Sequence, residues 1–466
     1  MQEVKFNYQN FDLDVTAEKV TIHNKSLFTD VAAYELHLEL MLDGKVIWEA
    51  SSDAPHILPG ETGTVALEDL PLTNAGEETV TASLRLKEDT LWAKKGFEIA
   101  FGQGTWQVDE VEVPEPKEAV AATDFAKAER HFHYKHNIPL ETQPAKPLHI
   151  VHGDINLGVR GTGFEILFSS AHFLKNIPPV FALPVSSATG NLSSYKCNGV
   201  ELIEEAPKPS FWRAPVDNDY GSRRDFMTAQ WKLASLYRRC VKKELLDEAG
   251  NWHEFDWFGQ LGQKEYEASS VSVRFTYELA TQPLSSCRMT YTVAEDASIK
   301  VELDYDAVEG LPEIPDFAML FTLPADYDQV RFYGYGPLDN YADRQRGARL
   351  GIFETTAKDE VEPYLQPQET GNHGGIRWIE VTDHRGRGVR LAMDEEPFEA
   401  SALPYSAHEL ENARHAYDLP EVHHTFLRAS LGQCGVGGDD TWGAPVLPEY
   451  TVKNETKHFS FYFKGI

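Results

Sequence analysis

The period of the apolar residues constrains this chain more than any other feature, and almost everywhere that period is two. In Tyr34-Glu-Leu-His-Leu-Glu-Leu-Met-Leu42 apolar and polar side chains alternate, Asp43-Gly44 follows, and Val46-Ile-Trp48 resumes. Successive side chains of a strand point to opposite faces, so this is a half-buried strand, a two-residue turn and an antiparallel partner. Further strands are expected at 19–23, 64–67, 79–87 and 96–106, with Pro-Gly or Asn-Ala-Gly between them. About seven short strands in roughly 110 residues predict an immunoglobulin-like β-sandwich over 1–110. The pattern returns over 148–466, at 271–277, 288–293, 298–305, 329–333, 377–382, 389–393 and 459–463. Only 224–237 shows helical spacing, through Phe226, Ala229, Trp231, Leu233 and Leu236. So many strands with one helix predict an all-β chain whose second part is a large two-sheet domain. No βαβ alternation occurs, which removes the Rossmann and (β/α)8-barrel folds.

Between these regions the composition shifts. Val111-Glu-Val-Pro-Glu-Pro-Lys117 and the prolines at 139, 144 and 147 bracket a charged stretch, read as a linker over 111–147 with a short helix within 119–129. His131, His133 and His136 sit in it, but no carboxylate or cysteine completes a metal set, so they are read as solvated. The four cysteines, Cys197, Cys240, Cys287 and Cys434, are far apart and read as free thiols. The formal charge of −30 disfavours nucleic acid and anionic membrane surfaces as partners. No stretch approaches the ~18 apolar residues of a membrane span. The first residues show no secretory leader, and a cytoplasmic protein is expected. The opening residues read as strand, as though more chain preceded them.

Phosphate-binding, zinc-protease and nucleophile-elbow motifs are all absent. Three stretches are denser in glycine, aromatic and charged residues than packing requires. They are Phe211-Trp-Arg-Ala-Pro-Val-Asp-Asn-Asp-Tyr-Gly221; Gly334-Tyr-Gly-Pro-Leu-Asp-Asn-Tyr-Ala-Asp-Arg344, followed by Pro367-Gln-Glu-Thr-Gly-Asn-His-Gly-Gly375; and Gly435-Val-Gly-Gly-Asp-Asp-Thr-Trp-Gly443. Tryptophan beside Asp and Asn suits a sugar, whose C–H face packs on the ring while carboxylates and amides bond its hydroxyls. Turn scaffolding, with Asp and Asn capping and Gly bending the chain, is the other reading.

In register, these stretches resemble the C-terminal part of the β-galactosidases of glycoside hydrolase family 2. Asp339 departs from the glutamate common there. The resemblance covers 148–466, and Tyr8-Gln-Asn10 with the hairpins after it is similar to the sandwich preceding that part. It implies an immunoglobulin-like domain followed by a galactose-mutarotase-like β-supersandwich over 148–466. It implies a partner, a catalytic (β/α)8-barrel portion in the same polypeptide or a separate large subunit, and a galactoside such as lactose as substrate. By the resemblance Trp442 forms part of the sugar platform, with Asp217, Asn218, Asp219, Gly437, Gly438 and Asp439 around it. Gly435, Gly437 and Gly438 are expected to allow close backbone approach near Trp442. Glu369, Asn372 and His373 are weaker candidates. Asn454-Glu455 repeats the family's acid/base dipeptide without its surrounding motif, so no catalytic residue is assigned. No cofactor is expected in this chain, since the family's Mg2+ and Na+ would lie in the absent portion. Homo-oligomerisation stays open. A stand-alone carbohydrate-binding protein and a mutarotase-like epimerase are the competing functions.

Overall fold

The computed structural model describes residues 1–68, 70–71, 75–108, 146–153, 156–170, 190–254, 264–440 and 443–466. Trp442 and the histidines at 131, 133 and 136 lie outside the described residues, as does nearly all of the expected linker. The fold is all-β, in two compact units. The first comprises 1–121 with 333–337 and 345–352; the second comprises 122–332, 338–344 and 353–466.

Seven strands of the first unit form a three-stranded and a four-stranded sheet. The smaller orders Phe11–Val15, Lys19–Asn24 and Thr62–Ala66; the larger orders Lys45–Asp53, Tyr34–Leu42, Gly76–Leu86 and Glu98–Val108. The hairpin at 43–44 is the one the sequence predicts. Leu42 pairs with Lys45, and Asp43 and Gly44 take φ of 47° and 76°, the twist of a two-residue turn that matches its strands. Alternation sends Leu36 and Leu40 into an aliphatic core with Val20, Ile22, Val80 and Leu84. His37, Glu39 and Met41 occupy the opposite face of that strand. The first residues depart from expectation: Gln2–Asn7 is a helix, not a strand. Asn7 Nδ2 donates to Glu3 Oε1 at 2.8 Å, an i,i+4 pair that only a helix closes.

The second unit stacks three sheets around an aromatic and aliphatic core. The largest includes, in order, Trp252–Glu254, Arg238–Leu246, Ser270–Leu279, Ser285–Ala294, Ile299–Tyr305, Lys457–Gly465, Gly388–Met393 and Trp378–Thr382. A six-stranded sheet runs from Val200–Glu201 to Lys264–Ala268. A five-stranded sheet orders Glu205–Ser210, Asp316–Pro324, His424–Gln433, Phe398–Leu403 and His373–Ile376. Phe211, Trp231, Tyr305 and Phe317 meet in the core with ring centroids 5.6–6.3 Å apart. Over the predicted 224–237 the helix comes in pieces, Arg224–Met227 and Ala229–Leu236, and a further helix, Asp217–Ser222, precedes them where no helical spacing is seen. Arg223 at φ 62° and Thr228 at φ −103°, ψ 2° interrupt the helical dihedrals. The predicted apolar stripe is therefore broken. Trp231 is buried and donates to Pro312 O at 3.2 Å, while Phe226, Leu233 and Leu236 are exposed. The four cysteines are free thiols. Among the described residues no helix is long and apolar enough to cross a membrane.

Candidate functional site

The segment 211–221 leaves the strand Glu205–Ser210 and enters the helix Asp217–Ser222 through Val216, which is extended at φ −97°, ψ 169°. The first N–H groups of a helix lack internal partners, and an acidic residue in the first turn satisfies one. Asp219 does so: its Oδ2 accepts from Val216 N at 2.9 Å. The same carboxylate receives both arms of a guanidinium, Arg213 Nη1 at 2.7 Å and Nη2 at 3.3 Å. The pair is buried. Nη1 also donates to Ala214 O at 3.0 Å and Nη2 to Gly435 O at 3.1 Å. Burial works against the charge on Arg213, but the nearby carboxylates, Asp219 first, override it and hold its pKa above the ordinary value. Arg213 is thus a permanent cation tying 211–221 to the glycine-rich loop.

The second motif reaches the same loop. Asp343 Oδ2 accepts from Gly437 N at 2.7 Å and Oδ1 from Val436 N at 3.2 Å. A Cβ on residue 435 would lie 2.4 Å from Asp343 Oδ2, and one on residue 438 would lie 2.5 Å from Ala444 O. These glycines therefore make room for a carboxylate and a carbonyl. Asn218 Nδ2 reaches Val436 O at 3.4 Å. Gly443, at φ 110°, brings the returning chain so close to the helix that a Cβ there would lie 2.6 Å from Gly221 O.

Three motifs separated by 90 residues or more in sequence thus meet around Arg213 and Asp343. Of the residues singled out from the sequence, Asp219 is buried and spent on Arg213, Asn218 and Gly437 are half-buried, and Asp217, Gly438 and Asp439 are exposed. The exposed carboxylates of Asp217 and Asp439 can accept hydrogen bonds. Asp219, locked in a bidentate pair, instead fixes the backbone that presents them.

A second polar cluster lies within the five-stranded sheet, and the sequence reading identified only part of it. Arg428 approaches Glu369 Oε1 at 3.1 Å and Asp316 Oδ2 at 3.3 Å, and donates to Asn372 Oδ1 at 2.9 Å. Asn372 Nδ2 donates to Glu399 Oε2 at 3.1 Å, and Ser430 Oγ to Asp316 Oδ1 at 2.6 Å. Burial raises the pKa of Asp316 to about 6 and that of Glu399 to about 7, against the pull of Arg428. His373 Nε2 pairs with Glu360 Oε2 at 2.7 Å. Glu369, Asn372 and His373 are accordingly all buried inside this unit. The adjoining cavity, lined by Ser210, Trp212, Ser401, Phe426 and Arg428 among others, is about 40 Å³, room for a few waters and not for a sugar ring. A charged residue on an otherwise apolar strand, as in Phe426-Leu-Arg-Ala-Ser430, is the signal that would have found Arg428. Asn454 is structural: it accepts from Tyr305 Oη at 2.7 Å and donates to Val308 O and Leu311 O.

Comparison with known proteins bears on the chain as a whole. A family model described as "Beta galactosidase small chain" matches residues 179–463, and one described as "Beta-galactosidase, domain 4" matches 20–107. The chain belongs to the β-galactosidase small-chain family. A β-galactosidase of Halalkalibacterium halodurans is 37% identical over 97% of this chain and 39% of its own length. One from Streptococcus thermophilus is 33% identical over 97% of this chain and 38% of its own. A β-galactosidase small subunit of Latilactobacillus sakei is 30% identical over 68% of this chain and 97% of its own length. The chain thus spans about two-fifths of the longer relatives and nearly all of the small subunit. Family membership favours neither the stand-alone sugar-binding protein nor the epimerase.

Proposed function

We propose that this chain is the part of a retaining β-galactosidase of glycoside hydrolase family 2 that completes the galactoside site and holds a catalytic portion in place. That portion is either joined to it or a separate large subunit. The observation carrying this reading is the double match: nearly the full length of a small subunit, and about two-fifths of the longer enzymes. A retaining glycosidase works through two carboxyl groups about 5–5.5 Å apart, one nucleophile and one acid/base. The catalytic portion supplies both, together with any Mg2+ or Na+. This chain contributes Trp442 as a platform for the sugar's C–H face, with Asp217, Asn218, Gly437, Gly438 and Asp439 for its hydroxyls. Asp219 and Arg213 hold that edge rigid.

A docking face for the catalytic portion adjoins this edge. Phe226, Met227 and Tyr237 are all more than 60% exposed on the helical segment, with Leu233 and Leu236 about half exposed. So many large apolar side chains on one short segment mark an association surface. Its occupant is the portion that makes up the rest of the longer relatives.

The test is complementation. The purified chain is mixed with the separately expressed catalytic portion, and hydrolysis of a chromogenic β-galactoside is followed. Activity is expected only in the mixture, with Trp442→Ala lowering kcat/KM by about tenfold or more and Phe226→Asp weakening association. Hydrolysis by the chain alone, or no gain with a folded partner, would sink the proposal.

A further inference from the structure

The four-stranded sheet of the first unit carries a cluster on the face turned away from its aliphatic core. His37 and Glu39 alternate along the strand Tyr34–Leu42, and Glu49 stands directly opposite Glu39 on the edge strand Lys45–Asp53. One ligand atom from each of the three residues lies within 4.8 Å of the other two. Glutamates directly opposite each other in an antiparallel pair repel, so the register is unfavourable unless a positive charge stands between them. Arg85 is a positive charge near enough to His37 to act on it electrostatically, and its Nε donates to Ser83 Oγ at 3.2 Å and not to either glutamate.

His37 supplies a second, independent observation. Its side chain is only 9% exposed, and its ring is oriented by a 3.0 Å hydrogen bond between Nδ1 and Ser51 Oγ. Nε2 is thereby aimed at the carboxylates, and the nearest of their oxygens, Glu49 Oε2, is 3.9 Å away. That is too long for a hydrogen bond, so among the described residues Nε2 has no hydrogen-bond partner. A ring nitrogen steered through the other nitrogen, facing acidic oxygens across a gap, is how imidazole is presented to a metal ion.

We infer that His37, Glu39 and Glu49 form a binding site for a divalent transition cation of the Zn2+ type, clamping the edge strand to its neighbour. One imidazole and two carboxylates suit such an ion, with water as the fourth ligand, and the imidazole selects against Mg2+ and Ca2+. Glu49 is mostly exposed, so the ion reaches the site from solvent with little rearrangement. The site lies within the first unit and is independent of the sugar-site proposal.

The experiment is a Zn2+ titration of the full chain by calorimetry, with Co2+ absorption reporting nitrogen and oxygen ligation. It is run in a background in which His131, His133 and His136 are alanine, so that the histidine run contributes nothing. One Zn2+ per chain is expected, with Mg2+ failing to compete, and with Zn2+ raising the Tm. Glu49→Gln, at an exposed position, and His37→Ala should each weaken binding by about tenfold or more. Absence of Zn2+ binding, or binding that both substitutions leave unchanged in folded protein, overturns the assignment.

Discussion

In the first unit the side chains buried between the sheets are mainly aliphatic, Val20, Ile22, Leu36 and Leu40 among them, with Phe11, whereas the second unit sets Arg213, Asp219, Asp316, Glu369 and Arg428 at comparable depth. The difference lies in how errors are tolerated. Dispersion and apolar burial are non-directional, and a shortened side chain costs in proportion to the cavity it leaves. A buried ionic group depends on its particular partner and loses most of its support when that partner goes. The first unit is thus held by many interchangeable contacts; the second has an apolar core as well, and adds a few ionic contacts that are not interchangeable.

Four substitutions break or sharpen this contrast, measured by urea unfolding unless stated. Asp219→Ala leaves Arg213 buried without its counter-charge and should destabilise the chain by about 3–5 kcal/mol. A loss within the range of surface substitutions would show that Arg213 does not hold the loops together. In the first unit Leu40→Ala removes a fully buried side chain and should cost about 3 kcal/mol.

The third effect depends on pH. Glu399, with its pKa raised to about 7, stays protonated in the folded protein where the unfolded chain has already ionised. The folded state therefore binds more protons, and stability falls as pH rises from about 4 toward 7. Asp316, raised to about 6, adds to the same slope. Glu399→Gln keeps the neutral shape and should flatten that decline, gaining on the order of 2 kcal/mol relative to the wild type at pH 8 compared with pH 4. An unchanged slope would place the titrating group elsewhere. The smallest effect belongs to the hairpin: Gly44→Ala puts a Cβ at φ 76° and should lower stability by about 1–2 kcal/mol.

Legibility followed the range of the interactions. The strands at 19–24, 34–42 and 270–279 and the turn at Asp43-Gly44 were readable because alternation and turn chemistry act over a few residues. The helix at Gln2–Asn7 is not legible, since its short apolar pattern fits either period. The stretch 224–237 has the spacing of one helix, because spacing does not reveal the left-handed Arg223 or the irregular Thr228. Glu369 and Asn372 stood out as polar residues in a glycine-rich stretch, but their partners Arg428, Asp316 and Glu399 come from other strands. Trp442 remains a reading from motif alone, outside the described residues.

By itself the sequence determined an all-β chain, the immunoglobulin-like hairpins and the three motifs, because period, turn residues and motif spacing are local and additive. Only the tertiary structure decided that Asp219 is spent on Arg213, that Asp343 caps the glycine loop, and that Glu49 comes to His37 and Glu39 from the neighbouring strand. Each of those depends on which distant residue arrives within about 3–4 Å, and that is set by register and packing, to which no single segment of the chain holds the key.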